Sequence, residues 1–168
     1  YIAMQEMCDK IQESVRVTSI PIMVDGDTGY GGPTNVKRTV ESFALAGAAG
    51  IMIEDQTLPK RMFYFSFRTI WLTCRKKGCG HTKGKSVVPR EEAFARIRAA
   101  CDARDNGLDI FILARTDALI LGWDEAIYRA KEFTRIGADG IFIEALPDRD
   151  AMKRAVEEVQ MPMLANSR

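Results

Sequence analysis

Two carboxylates that flank a glycine and precede further glycines are the clearest chemical feature of this sequence. Asp25 and Asp27 follow a short apolar run, Ile22 to Val24, that predicts a buried parallel strand. Because side chains two positions apart in a strand point the same way, both carboxylates could face one point, and the glycines between residues 26 and 32 permit a tight turn beside them. Such a pair suits Mg²⁺, which binds one or two carboxylates plus waters and substrate oxygens. The alternative is that one acid caps the next helix.

The composition is that of an ordinary globular chain. The 168 residues are 46% hydrophobic and 28% charged, which predicts a single domain over residues 1–168. A net charge of +1 gives no electrostatic reason to expect nucleic acid or an anionic membrane as a partner. No apolar run approaches the roughly 18 residues of a membrane span, and no signal-peptide pattern is visible. The four cysteines lack paired spacing, so we expect reduced thiols in an intracellular compartment, the cytoplasm or the mitochondrion.

Hydrophobic periodicity alternates between strand and helix along the chain. It predicts strands over 22–24, 51–53, 110–114, 140–143 and 161–165, and helices over 2–14, 35–46, 90–105, 124–136 and 148–159. This alternation is typical of a parallel α/β sheet with right-handed crossovers. The residues that end the strands are all polar: Asp25, Glu54, Arg115, Glu144 and Asn166.

Two parallel architectures would bring these polar residues to one edge. They are the (β/α)₈ TIM barrel, with its active site at the C-terminal face, and an open doubly wound sheet, with its ligand crevice. Consecutive βα units favour the barrel, but a complete barrel needs eight strands and roughly 250 residues. We therefore expect a partial barrel of about five βα units, with material missing at both ends.

Seven short stretches carry recognisable motifs: Val24–Gly31, Ile53–Gln56, Pro59–Arg61, Cys79–His81, Ile112–Ala118, Ile143–Ala145 and Leu164–Asn166. Together they resemble the isocitrate lyase and phosphoenolpyruvate mutase superfamily, especially its short methylisocitrate lyase-like and carboxyphosphonoenolpyruvate phosphonomutase-like members. The resemblance covers nearly the whole chain. It implies a (β/α)₈ barrel that uses Mg²⁺, or Mn²⁺ in its place, to make or break C–C or P–C bonds in 2-oxo or 2-hydroxy acids through an enolate-like or carbanion-like species.

The resemblance also implies roles for individual residues. The metal would be held by Asp25, Asp27 and Glu54. The substrate would contact Arg115, Glu144, Asn166, Gly80 and His81. Catalysis would rest on Cys79 as the proton donor, helped by Lys60 and His81, with Arg115 as the carboxylate clamp. The subunits would assemble into a homotetramer.

Simpler interpretations remain open for two of these residues. Arg115 could form only a buried ion pair with Glu54 or Glu144. Glu144 could be a helix cap or a surface acid.

One segment departs from the resemblance. Residues 62–78 separate Arg61 from Cys79, whereas the superfamily motif Pro-Lys-Arg-Cys-Gly-His is contiguous. We expect this atypical insertion to protrude rather than add a strand, and a retained intron is a hypothesis for its origin. It also creates a Cys74, Cys79, His81 grouping, which lacks the fourth ligand that zinc usually needs.

Two classes of function remain at this point. The first is a Mg²⁺-dependent enzyme that cleaves a C–C bond in a 2-methylisocitrate-like acid, with a phosphonomutase or an oxaloacetate-type hydrolase as alternatives. Cys79 favours the lyase, since a mutase needs no such acid. The second is an inactive truncated or mis-spliced remnant, or a non-catalytic oligomer subunit.

Overall fold

The computed structural model of this chain describes residues 2–57 and 85–166. The helices are α1 (Met4–Val17), α2 (Pro33–Ala46), α3 (Arg90–Asp105), α4 (Trp123–Ile136) and α5 (Arg149–Val159), with a short 3₁₀ helix at Ala118–Leu121. The strands are β1 (Met23–Asp25), β2 (Gly50–Glu54), β3 (Phe111–Thr116), β4 (Gly140–Ile143) and β5 (Met163–Leu164). Each α-helix and strand lies where the periodicity predicted one, and the 3₁₀ helix was not predicted. No helix in the described ranges is both long and apolar enough to cross a bilayer.

The strands pair in the order in which they occur along the chain. They form one five-stranded sheet, β1-β2-β3-β4-β5, and every neighbouring pair is parallel. A doubly wound sheet would reverse its strand order at a switch point, so the sequential order excludes it. The partial-barrel prediction is confirmed.

The two faces of the sheet differ in composition. One face contributes the core residues Val24, Ile51, Ile53, Ile112, Ala114, Ile141 and Ile143, all at most 7% exposed. They pack with apolar helix residues such as Val36 and Phe43 of α2, Ile97 of α3 and Phe133 of α4. On the opposite face, residues of neighbouring strands lie side by side in one row: Glu54, Arg115, Phe142 and Leu164. One face therefore builds the core, and the other presents charged residues at its C-terminal edge.

The helix ends settle the capping alternatives. Gly32 caps α2, with Pro33 in the first turn, where a missing N–H costs nothing. Asp148 caps α5, its carboxylate accepting the Ala151 amide at 2.8 Å. The helix-cap interpretation is therefore wrong for Asp25 and Asp27, and also for Glu144.

Candidate active site

The loop after β1 positions the two acids by a turn, not by strand alternation. The strand ends at Asp25, and Asp27 adopts a left-handed conformation with φ +48°. Its amide donates to Asp25 Oδ1 at 2.8 Å. Strand alternation does not align this pair, contrary to the prediction, because the chain leaves the extended conformation before Asp27. The turn instead places Asp27 next to the exposed Asp25 carboxylate.

Two glycines let this loop lie directly against β2 and α2. A Cβ at Gly26 would stand 2.8 Å from the Cδ1 atoms of Ile51 and Ile53. At Gly29, where φ is +85°, a Cβ would stand 2.3 Å from Val36 Cγ2. Glycine therefore serves here both the tight turn expected from the sequence and the close approach of the loop to its neighbours.

Arg115 is the centre of the charged face. It lies beside Glu54 in the sheet register, and its Nε is 3.5 Å from Glu54 Oε2. Its Nη2 is 3.4 Å from Glu144 Oε2. Its Nε also donates to Asp117 Oδ2 at 3.1 Å. The ion pairs considered as an alternative are thus present, and they join three predicted site residues in one cluster.

Sequence reasoning missed two members of this cluster. Asp117 follows β3, and Lys85 lies far away in sequence, just before α3. Lys85 Nζ donates to Asp117 Oδ1 at 2.7 Å and lies 3.9 Å from Glu144 Oε1. The Thr-Asp pair after Arg115 was a usable signal for Asp117, but nothing local marks Lys85 as its partner.

The charges in this cluster are largely buried, so the pKa values of Asp117 and Arg115 depend on their charged neighbours. Burial alone would raise the pKa of the Asp117 carboxyl, but Lys85 and Arg115 lower that pKa below its ordinary value. For the Arg115 guanidinium, burial acts to lower the pKa, and the carboxylates of Asp117, Glu54 and Glu144 raise it above its usual range. The side chains of Glu54, Asp117 and Glu144 are at most 4% exposed. Glu144 is therefore not a surface acid.

Asp55, the residue after Glu54, binds the segment that follows Arg115. It is 1% exposed and accepts hydrogen bonds from the Thr116 hydroxyl at 2.7 Å and the Asp117 amide at 2.9 Å. Arg129 Nη1 of α4 donates to it at 3.0 Å. Burial raises the pKa of the Asp55 carboxyl. Asp55 thus fixes the end of β3 and the residue after it, where Arg115 and Asp117 lie.

The remaining predicted residues fall in two groups. Asn166 follows β5 and is exposed. Lys60, Cys79, Gly80 and His81 lie outside the described residues, as do the insertion 62–78 and Cys74.

The possible metal ligands at this edge of the sheet are carboxylate oxygens, which Mg²⁺ prefers. Within residues 2–57 and 85–166, no three His, Cys, Asp or Glu side chains form a ready-made metal cluster. Mg²⁺ does not require one, since it binds through one or two carboxylates and keeps waters and substrate oxygens. Asp25 Oδ1 accepts the Asp27 amide, and no hydrogen bond from a described residue reaches Oδ2. The edge carries the carboxylates Asp25, Asp27, Glu54, Asp117 and Glu144 against the cations Lys85 and Arg115. This excess of hard anionic oxygen fits a divalent cation.

Comparison with known proteins then assigns the family. The phosphoenolpyruvate phosphomutase family profile matches residues 1–167. This chain belongs to that family. It is 39% identical over 165 residues to 2-methylisocitrate lyase of Escherichia coli K12, covering 97% of this chain and 50% of the relative. It is 38% identical over 166 residues to 2,3-dimethylmalate lyase of Eubacterium barkeri, covering 98% and 51%.

Solved structures of the phosphoenolpyruvate mutase and isocitrate lyase superfamily share the fold. The structure of oxaloacetate acetylhydrolase with 3,3-difluorooxalacetate superposes with a TM-score of 0.82 at 35% identity, covering 96% of this chain and 50% of the other. The chain thus spans about half the length of the relatives it matches. The predicted superfamily membership is confirmed.

Proposed function

We propose that this chain carries the catalytic face of a Mg²⁺-dependent lyase that cleaves a C–C bond in a 2-hydroxy acid resembling 2-methylisocitrate. The observation that carries the proposal is the environment of Arg115. Carboxylates of the chain lie against its Nε and Nη2, whereas Nη1 donates no hydrogen bond to a residue in the described ranges. A guanidinium nitrogen that remains available beside a carboxylate-rich edge is suited to bind a substrate carboxylate. The two lyases among the relatives support this reaction class.

The metal would be held by Asp25 and Asp27, with Glu54 joining directly or through water. When bound, Mg²⁺ or Mn²⁺ would offset the negative charge of the substrate carboxylate and 2-oxygen. Glu54 also contacts Arg115 at 3.5 Å, so the metal side and the carboxylate side of the site share one residue. The excess of carboxylates over cations supports this arrangement.

An apolar floor beside Arg115 would keep water away from its charges. Phe142 is 5% exposed and its ring centroid is 5.3 Å from Arg115 Cζ, while Leu113 on the same face is 3% exposed. A low local dielectric strengthens every charge interaction there. Arg115 would therefore hold an anionic substrate more firmly than a solvated arginine could.

The proton for the carbanion-like product would come from Cys79, with Lys60 and His81 promoting the transfer. A thiol beside cationic groups has a lowered pKa and exchanges its proton readily near neutral pH. Gly80, His81 and Asn166 would contribute to substrate binding, and the subunits would form a homotetramer. These assignments rest on the superfamily resemblance of the residues.

A hydrolase acting on oxaloacetate is the second candidate. Its specific support is the similarity to oxaloacetate acetylhydrolase, with its TM-score of 0.82. A phosphonomutase is the third candidate, supported by the name of the matching family. Each reaction gives a different product, so one assay panel can separate them.

The test is to incubate the purified chain with 2-methylisocitrate, 2,3-dimethylmalate, oxaloacetate or phosphonopyruvate, with and without Mg²⁺, and to identify products by mass spectrometry. We expect Mg²⁺-dependent cleavage of a 2-hydroxy acid. Arg115→Lys should reduce it strongly, because a lysine cannot reproduce the fork of donors. Arg104→Lys is the control, since Arg104 pairs with Asp139, at the opposite end of the sheet. Turnover of oxaloacetate alone would select the hydrolase, and no turnover of any acid would favour a non-catalytic chain.

A further inference from the structure

Four buried or nearly buried charges form a closed ring at the C-terminal edge of the sheet. Arg115 contacts Asp117 at 3.1 Å, Asp117 contacts Lys85 at 2.7 Å, and Lys85 lies 3.9 Å from Glu144. Glu144 closes the ring at 3.4 Å from Arg115. Their side chains are between 1% and 13% exposed, so solvent screens these interactions only weakly.

Two cations share the single Asp117 carboxylate within this ring. Lys85 Nζ donates a hydrogen bond to Asp117 Oδ1. The same oxygen accepts a longer hydrogen bond of 3.3 Å from Arg115 Nη2. Asp55 fixes the backbone of Asp117 through a bond of 2.9 Å to its amide, so the carboxylate stays within reach of both cations. Without Lys85, Asp117 Oδ1 would be fully available to Arg115. The guanidinium would then close onto Asp117 and leave Glu144.

We propose that Lys85 is a positioning residue, which holds Asp117 and Glu144 so that the Arg115 guanidinium keeps Nη1 directed away from the ring and toward an anionic ligand. This inference rests on the proposed function only in naming a carboxylate as that ligand. Lys85 itself acts through Asp117 and Glu144.

A purely structural role for Lys85 makes different predictions. The segment around it is also held by other bonds, including Thr57 Oγ1 to the Ser86 carbonyl at 3.2 Å and the Val88 amide to the Asp55 carbonyl at 2.9 Å. If Lys85 only fastened this segment, loosening the segment elsewhere would have the same effect as removing the charge. Ser86→Ala is the matched variant, because it removes a neighbouring side-chain contact with Thr57 and leaves all four ring charges intact.

The experiment compares the full chain with Lys85→Met, Lys85→Arg and Ser86→Ala by two readouts. The first is oxalate affinity in the presence of Mg²⁺, measured by calorimetry. The second is the rate at which phenylglyoxal modifies Arg115, measured by peptide mapping, which needs no substrate or metal. We expect Lys85→Met to weaken oxalate binding about tenfold and to slow Arg115 modification severalfold, because the guanidinium pairs more closely with Asp117. Lys85→Arg should keep most of the oxalate affinity and most of the Arg115 modification rate of the unmodified chain. Ser86→Ala should change neither quantity.

The two readouts separate this inference from the proposed function. If the unmodified chain binds no oxalate, the proposed function fails and the rate of Arg115 modification still tests Lys85. If Lys85→Met and Ser86→Ala give the same Arg115 modification rate, the positioning role is overturned. A Lys85→Met variant that loses its fold would be replaced by Lys85→Gln, judged by the same two measurements.

Discussion

The backbone amide of Glu54 donates a hydrogen bond of 2.8 Å to the carbonyl oxygen of Asp27. This bond ties the loop after β1 to the last residue of β2. It uses only main-chain atoms, so it survives when either side chain is replaced. The position of the loop and the charge of its carboxylates can therefore be tested separately.

Asp27→Asn should weaken Mg²⁺ binding by about tenfold or more, because it removes a full charge from a site that depends on hard anionic oxygen. The bonds made by the Asp27 amide and carbonyl involve only its main chain, so Asp27→Asn should keep them. Calorimetry with Mg²⁺ and pyruvate is the measurement. Asp102→Asn on an exposed position of α3 is the control and should bind the ion normally. Equal affinity for Asp27→Asn and the unmodified chain would refute the metal assignment.

Cys79→Ser should abolish lyase turnover while leaving Mg²⁺ affinity nearly unchanged. A serine hydroxyl is far less acidic than a thiol, so it cannot supply the proton that the proposed reaction needs. Together with Asp27→Asn, this variant separates the acid from the metal site. The assay follows product formation with the best substrate of the panel, in parallel with calorimetry. Retained lyase turnover in Cys79→Ser would rule out the thiol as the acid.

Gly29→Ala should destabilise the fold by about 2–4 kcal/mol. Alanine disfavours the left-handed backbone conformation at this position, and its Cβ would clash with α2. The added Cβ would lie 2.3 Å from Val36 Cγ2, and φ is +85°. Gly107→Ala is a matched control, because φ there is +104° and nothing lies within 4 Å of the added Cβ. It should cost only about 1 kcal/mol. Urea unfolding of both variants measures the difference, and equal losses would show that close packing at Gly29 contributes nothing.

The sequence predicted the elements of this fold well because each depends on local patterns. Ile51 and Ile53 of β2 and the glycine that ends α2 follow from periodicity and turn chemistry alone. Periodicity also showed where each apolar strand ends, so the polar residues at the strand ends could be predicted as well. Asp117 and Lys85 could not be paired from sequence, since they are separated by α3 and β3 and meet only after folding.

The arrangement of the two aspartates shows a second limit of sequence reasoning. The pattern correctly marked Asp25 and Asp27 as neighbours at the end of a strand. It assigned the wrong cause, because strand alternation stops at Asp25 and a turn with positive φ at Asp27 follows. The Asp25 carboxylate stabilises this turn locally, and the Glu54 amide holds the Asp27 carbonyl from the neighbouring strand. The second of these bonds is absent from the local pattern.

The stability of the chain should depend on pH through Glu125 of α4. Its carboxylate accepts from Arg129 Nε at 2.7 Å and is also bound by Arg90. The hydrogen bond from Arg90, together with Arg129, lowers the pKa of the Glu125 carboxyl from 4.5 to about 2, against the effect of burial. Because the folded-state pKa is depressed, the stabilisation is complete above the unfolded pKa and is lost as pH falls from about 4.5 toward 2.

Glu125→Gln should therefore lower the free energy of unfolding by about 1–2 kcal/mol at pH 7, an amount limited by the partial exposure of Arg90. The difference from the unmodified chain should be smaller at pH 3.5, because part of the Glu125 contribution is already lost there. Urea unfolding at both pH values gives the two differences. Glu132→Gln on the same helix is the control, since its partner Arg135 is 72% exposed and the pair should contribute little. A difference that stays constant or grows on acidification would mean that Glu125 does not stabilise the fold as a charged group.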